Sequence, residues 1–319
     1  MANDSHHQNR TVTSTFEPFS SSDCIAWLTV LNIEAVAIVA MNALTIVIYL
    51  KERILRKRSM YLVINLAVAD MFVTYNLIVR ILSLGNVCNF WSFESSIVII
   101  GLAYFFPSAS VTNLAAISLE RMHATFRPFK HRLIKKKIFG AAVAGVWFSA
   151  AMSTGIAFLA FWLDRTISYH LLAAHGLLLF GVLFIILVSY SSIAIKVYCG
   201  THPRHHCAIS RERKLTKTLF IVTLVSVILL LPYGIFHICS HFSSGERFKT
   251  ISHQMLRHLS HSVYSLFHAN SLINPLLYAL KMPQFKRALF LLLRCRSRPK
   301  PVQVFPLNDL KVVRFYSVN

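Results

Sequence analysis

His268, Asn270, Ser271, Asn274, Pro275 and Tyr278 all fall inside one apolar run long enough to cross a bilayer. A lipid-facing helix has no use for that polarity, and Pro275 removes a backbone donor that neighbouring groups must make good. These side chains must therefore face a protein interior. Asp70 poses the same problem in another apolar run, where a carboxylate costs about 2.5–3.5 kcal/mol on insertion scales unless it meets a partner or a wet cavity. Asn42, Ser110, Asn270 and Asn274 lie at comparable depths in their runs. Together with Asp70 they could form a hydrated ion site, or polar glue between helices. Glu120-Arg121 closes a further run. An arginine fork stays charged and binds carboxylates bidentately, so such a pair can be made in one state and released in another. Arg121 could equally be one more basic residue beside a membrane. Tyr264, His268 and Ser271 share a helix face at i, i+4 and i+7; Tyr233 with His237, and Tyr104 with Ser108, do the same elsewhere. These groups suit a pocket that takes an aromatic or polar organic molecule, though each could instead pack between helices.

The elements that must position these residues are transmembrane helices. The 319 residues are 55% hydrophobic and only 14% charged, a balance that points to a polytopic membrane protein. Seven runs of about 20 apolar residues or more lie near 26–50, 60–83, 95–122, 139–162, 170–198, 213–240 and 258–280. The expected fold is all-α, a seven-helix bundle over 26–280 between an extracellular N-terminus (1–25) and a cytoplasmic tail (281–319). Pro283 opens the tail, and Phe285, Ala288, Leu289 and Leu292 recur at helical spacing, as in a short amphipathic helix on a lipid surface. The net charge of +21 is concentrated after the first, third and seventh runs and before the sixth. That asymmetry places the N-terminus outside and accounts for the charge by anionic lipid rather than nucleic acid. The first 24 residues lack a signal-peptide core, so the first helix is expected to act as its own insertion signal. Asn3 and Asn9 fit the glycosylation sequon on the outer side, and Cys295 is placed for palmitoylation.

Asn274-Pro275-x-x-Tyr278 resembles the seventh helix of rhodopsin-like G protein-coupled receptors. Glu120-Arg121-Met122 is similar to that family's Asp/Glu-Arg-Tyr motif, with Met122 in place of tyrosine. Pro128-Phe129, Trp147 and Tyr190 also match its pattern. The resemblance implies a sodium pocket at Asn42, Asp70, Ser110, Asn270 and Asn274. It also implies an activation switch built from Glu120, Arg121, Glu212, Tyr190, Pro275 and Tyr278. His268-Ala269-Asn270-Ser271 is similar to the adenosine-receptor branch, whose histidine lies near ribose and pairs with a first-helix glutamate. Glu34 sits about one turn deeper than that glutamate. Other positions depart from the family. Ser96 replaces the usual cysteine and no cysteine occurs in 163–170, so Cys24–Cys88 is expected as a substitute staple. Leu230 stands for the sixth-helix tryptophan, Ser226 for an aromatic residue, and Val182 near the fifth-helix proline. His237 replaces the purine-binding asparagine.

The resemblance implies a receptor, not an enzyme, passing an outer signal from a small ligand to a heterotrimeric G protein. The ligand is expected to be nucleoside-like, a lipid or another small molecule. Ala103 removes the counter-ion a biogenic amine would need, and the seventh run holds no lysine before Lys281 for retinal. Alternatives are an adenosine receptor proper, a receptor modulated by protons or zinc through His237/His241 and His258/His261, and a seven-helix hydrolase. No cofactor is expected beyond a sodium ion at Asp70.

Overall fold

The computed structural model describes residues 20–51, 60–163, 165–199, 221, 224–236, 238–239, 252–281 and 283–293. Those residues contain helices and no strand. The seven apolar runs correspond to α1 (Ser21–Lys51), α2 (Met60–Val87), α3 (Ile97–Phe126), α5 (Lys136–Trp162), α6 (Arg165–Cys199), α7 (Leu224–Phe236) and α8 (His253–Lys281). Between α3 and α5 lies α4 (Pro128–Leu133), and α9 (Pro283–Leu293) follows α8. Five of the described helices, α1, α2, α3, α5 and α6, are by length and composition apolar enough to cross a membrane. Only a 13-residue stretch of α7 is described, and α8 carries too many His, Asn and Ser for that composition.

Local sequence explains the helix ends. Asp23 lies in the first turn of α1 and Lys51 in its last, each complementing the dipole. Ser96 caps α3, its hydroxyl accepting from the Ile99 amide at 3.4 Å. The residue that departs from the family's cysteine thus starts the helix instead. Pro128 opens α4 and Pro283 opens α9, where a missing amide costs nothing. The segment 163–170, expected as a loop, is mostly the first turns of α6, so only residues 163–164 separate α5 from α6.

The bundle is polar inside and apolar outside. Asp70, Asn113, Ser226 and His268 are fully buried, while Val36, Phe148 and Phe184 are about two-thirds exposed. Such an inverted distribution suits a hydrocarbon solvent. A continuous core of Leu62, Leu66, Leu114, Ile186, Tyr190, Leu230, Tyr233, Phe267 and Tyr278 joins α2, α3, α6, α7 and α8. Phe285 anchors α9 between Tyr49 and Tyr278, at ring separations of 5.6 and 6.3 Å.

At the opposite end Cys24 and Cys88 are joined, with Cα atoms 6.2 Å apart, tying the start of α1 to the turn after α2. Asn89 takes φ of 58° there, and the chain doubles back so that the Trp91 indole donates to the Leu82 carbonyl at 2.9 Å. The indole lies where a Cβ on Gly85 would be. Gly85→Ala is therefore expected to displace Trp91, break that hydrogen bond and cost about 1 kcal/mol. A shift in tryptophan emission with a lower melting temperature checks this; an unchanged spectrum would show that the turn accommodates the methyl.

Candidate functional site

Two prolines organise the interior. Pro275 in α8 leaves the Ser271 carbonyl without its helical donor, and Pro107 in α3 does the same to Ala103. Each freed carbonyl is met by an asparagine from another helix. Asn42 of α1 donates to Ser271 O at 3.0 Å, and Asn76 of α2 donates to Ala103 O at 2.8 Å.

Around the first of these lies Asp70. Its Oδ1 accepts from Ser110 of α3 at 2.5 Å and from Ser271 of α8 at 2.9 Å. Its Oδ2 accepts from Asn274 of α8 at 2.9 Å. The carboxylate thus joins three helices at one depth. Ser271, expected on the ligand face, belongs instead to this cluster, because its hydroxyl turns toward Asp70. Asn42 reaches the cluster through the Ser271 backbone rather than through Asp70. Asn270 is buried one residue before Ser271. The side-chain oxygens of Asn42, Asn270 and Asn274 are buried and have no hydrogen-bond partner. A buried carboxylate beside amide oxygens in need of donors is a hard-oxygen set that fits a small cation.

A second polar knot rigidifies the bundle. Asn65 donates to Asn113 at 3.1 Å and accepts from Trp147 at 2.9 Å, while Asn113 donates to Leu62 O at 2.8 Å. Trp147 therefore locks α5 to α2.

At the Arg121 end of α3, Arg121 Nε lies 2.5 Å from Glu120 Oε2, and both side chains are more than nine-tenths buried. The other carboxylate oxygen meets His131 Nε2 of α4 at 2.7 Å. His131 was not among the expected switch residues; α4 brings it there. Tyr190 and Tyr278 are buried nearby in the core.

At the Cys88 end, a cavity of about 370 Å³ opens between α2, α3, α6, α7 and α8. Tyr104, Ser108, Tyr233 and Tyr264 line it, as their spacing predicts. His268 does not. It is fully buried, and its Nε2 lies 2.9 Å from Asn76 Oδ1. Glu34 is not its partner either, because Glu34 meets α8 one turn earlier and accepts from Ser265 at 3.0 Å. The one-turn offset of Glu34 thus resolves into Glu34–Ser265 and His268–Asn76 contacts, and neither Glu34 nor His268 lines the cavity. Arg80, Asn76 and Arg257 line it without having been singled out in the sequence, and His261, noted there only for protons or zinc, joins them. The Arg80 guanidinium lies over the Tyr264 ring.

His258 and His261 both pack against Trp27. Trp27 donates to His258 Nδ1 at 3.0 Å and packs on His261 at 5.3 Å, and His258 Nε2 stands 3.8 Å from Asp23. Among the described residues no group of three His, Cys, Asp or Glu is arranged to hold a metal ion. Asn3, Asn9, Glu212, His237, His241 and Cys295 lie outside the described residues.

Residues 41–278 match the description "7 transmembrane receptor (rhodopsin family)". The chain is 25% identical over 301 residues to the substance-K receptor of Homo sapiens, covering 84% of this chain and 73% of that protein. It is 24% identical over 301 residues to a QRFP-like peptide receptor of Branchiostoma floridae, covering 83% and 77%. An octopamine receptor beta-2R of Drosophila melanogaster is 28% identical over 143 residues, covering 41% and 25%. None of these three relatives is an adenosine receptor, so the adenosine likeness stays confined to the segment around His268.

Proposed function

The chain belongs to the rhodopsin family of seven-transmembrane receptors, and on that premise we propose that it passes a signal from a small ligand in the Arg80–Tyr264 cavity to a heterotrimeric G protein at the Arg121 end. In this reading the Cys88 end is extracellular, the tail is cytoplasmic and the receptor works at the plasma membrane, as the basic loops favour. The observation that carries it is the Asp70 cluster. It links α2, α3 and α8 between the cavity and the Glu120–Arg121 pair, so a ligand that shifts α3 against α8 must rearrange three buried hydrogen bonds. A sodium ion at Asp70 would supply positive charge to that cluster.

Two of the named relatives are a substance-K receptor and a peptide receptor, which raises a peptide as a second reading. The two-residue link between α5 and α6 and the cavity volume favour a small ligand. Adenosine has weaker support, since His268 is committed to Asn76 and does not itself line the cavity. Nucleotide exchange by a panel of G proteins, measured with the full-length receptor in lipid nanodiscs, tests the proposal. Exchange above background in at least one member is expected; a folded receptor silent with every member, with and without ligand, would sink it.

Glu120 holds Arg121 on one oxygen and His131 on the other. Glu120→Gln keeps the shape but removes the charge that restrains Arg121, and is expected to raise ligand-independent exchange several-fold. Basal exchange that stays level, at equal receptor abundance, would mean that this pair does not restrain the resting state.

A further inference from the structure

The cavity wall carries a half-buried cation, Arg80, that no carboxylate among the described residues answers. Arg80 sits nearly three turns beyond Asp70 on α2, inside an apolar helix where a guanidinium is expensive and marks a functional pathway. Its surroundings are aromatic: it lies over the Tyr264 ring, and Tyr104 and Tyr233 line the same space. Arg257 and His261 of α8 add basic groups to the wall. Among the described residues no Asp or Glu lines the cavity. The carboxylates of the described residues are used or placed elsewhere. Asp23 faces His258, Glu34 takes Ser265, Asp70 holds its own cluster, Glu120 pairs with Arg121, and Glu94 is exposed. The rest of the wall is apolar, with Val111, Leu179 and Phe267 among its members.

We propose that the ligand is an anionic amphiphile, a molecule with one carboxylate or phosphate group on an apolar body, and that Arg80 binds the anion. This rests on reading the cavity as the ligand site of a receptor. Tyrosine faces and hydroxyls solvate a guanidinium only in part, and a planar fork in a cavity wall is completed by an oxyanion that it can bind bidentately. A cationic amine meets repulsion from Arg80, which no carboxylate among the described residues offsets. A neutral nucleoside leaves that charge unanswered. A carboxylate or phosphate satisfies Arg80 while its apolar body displaces water from the Val111–Phe267 wall. The anion could belong to a membrane lipid or to a soluble metabolite, since both present the same group.

The test uses the full-length receptor in phosphatidylcholine nanodiscs, read by saturable ligand-induced thermal stabilisation and by nucleotide exchange. Oleate and 1-oleoyl lysophosphatidate form the lipid arm, 4-phenylbutyrate the soluble arm, and oleyl alcohol, 1-oleoylglycerol and adenosine the neutral controls. At least one anion is expected to stabilise the wild-type receptor at concentrations at least about ten-fold below its neutral counterpart. Arg80→Gln should erase that difference, and Arg80→Lys should keep part of it. The arm that responds identifies the source of the anion. Neutral compounds that match the anions, no anion that binds, or an Arg80→Gln receptor that still prefers the anion would each overturn the proposal. The wild-type panel decides the charge preference even where Arg80→Gln does not fold. A neutral compound that drives exchange sinks this inference and leaves the receptor reading standing. An anion that binds through Arg80 without exchange in any G protein does the reverse.

Discussion

Arg121→Ala is expected to reduce ligand-driven nucleotide exchange to background while the receptor still reaches the membrane. Arg121 is 8% exposed and is held by the adjacent Glu120. Removing one member of a buried ion pair usually strands the other, at a cost of about 3–5 kcal/mol. Here Glu120 keeps a second partner, because His131 of α4 already sits 2.7 Å from its other oxygen. The fold should therefore tolerate the change better than a simple pair would. Coupling should not. A guanidinium released from Glu120 offers a fixed fork of donors to a docking partner, and charge-assisted hydrogen bonds of that kind contribute enough that their loss lowers coupling on the order of 100-fold. Arg121→Lys keeps the charge without the fork and should fall between the two. Surface labelling alongside exchange assays checks the prediction. An alanine variant at wild-type abundance that still couples would move the switch away from Arg121.

The bundle was legible because membrane helices announce themselves by length and apolarity, and α1, α2, α3, α5 and α6 begin and end close to their apolar runs. The Asp70 cluster was legible for a related reason: a carboxylate in such a run must find donors, and Ser110 and Asn274 supply them. What failed was direction within a helix. Ser271 and His268 share a face with Tyr264 by spacing alone, but α8 is deep enough in the bundle for one face to serve two purposes. Tyr264 reaches the cavity, whereas Ser271 turns to Asp70 and His268 to Asn76. Arg80 was the avoidable omission, since the cost that singled out Asp70 applies equally to a guanidinium ten residues later in the same run. Asn76 was harder to see. Its role depends on Pro107 freeing the Ala103 carbonyl one helix away, a relation that spacing within α2 does not contain. The short helix α4 was visible only through Pro128-Phe129, and so its His131 was missed.

Asp70→Asn is expected to abolish any dependence of the receptor on sodium while leaving it folded. The carboxylate takes donors from Ser110, Ser271 and Asn274. An amide of the same shape still accepts on its oxygen, and either serine hydroxyl can rotate to accept from the new NH₂. The net loss is then of the order of one hydrogen bond, about 1 kcal/mol. The charge is a different matter. A cation seated among Asp70 and the unpartnered oxygens of Asn42, Asn270 and Asn274 owes most of its affinity to the one full negative charge present. At ten times its dissociation constant, such an ion stabilises the folded receptor by about 1.4 kcal/mol. The wild-type melting temperature should therefore rise in sodium chloride but not in choline chloride of equal ionic strength, and Asp70→Asn should show the same melting temperature in both. Equal sodium responses in the two receptors would place the ion elsewhere or remove it. Linkage adds a second reading of the same site: whatever factor sodium imposes on ligand affinity, the ligand must impose on sodium affinity. Since α2 and α3 contribute to both the cavity and the Asp70 cluster, that factor should differ from one in the wild-type receptor and equal one after Asp70→Asn.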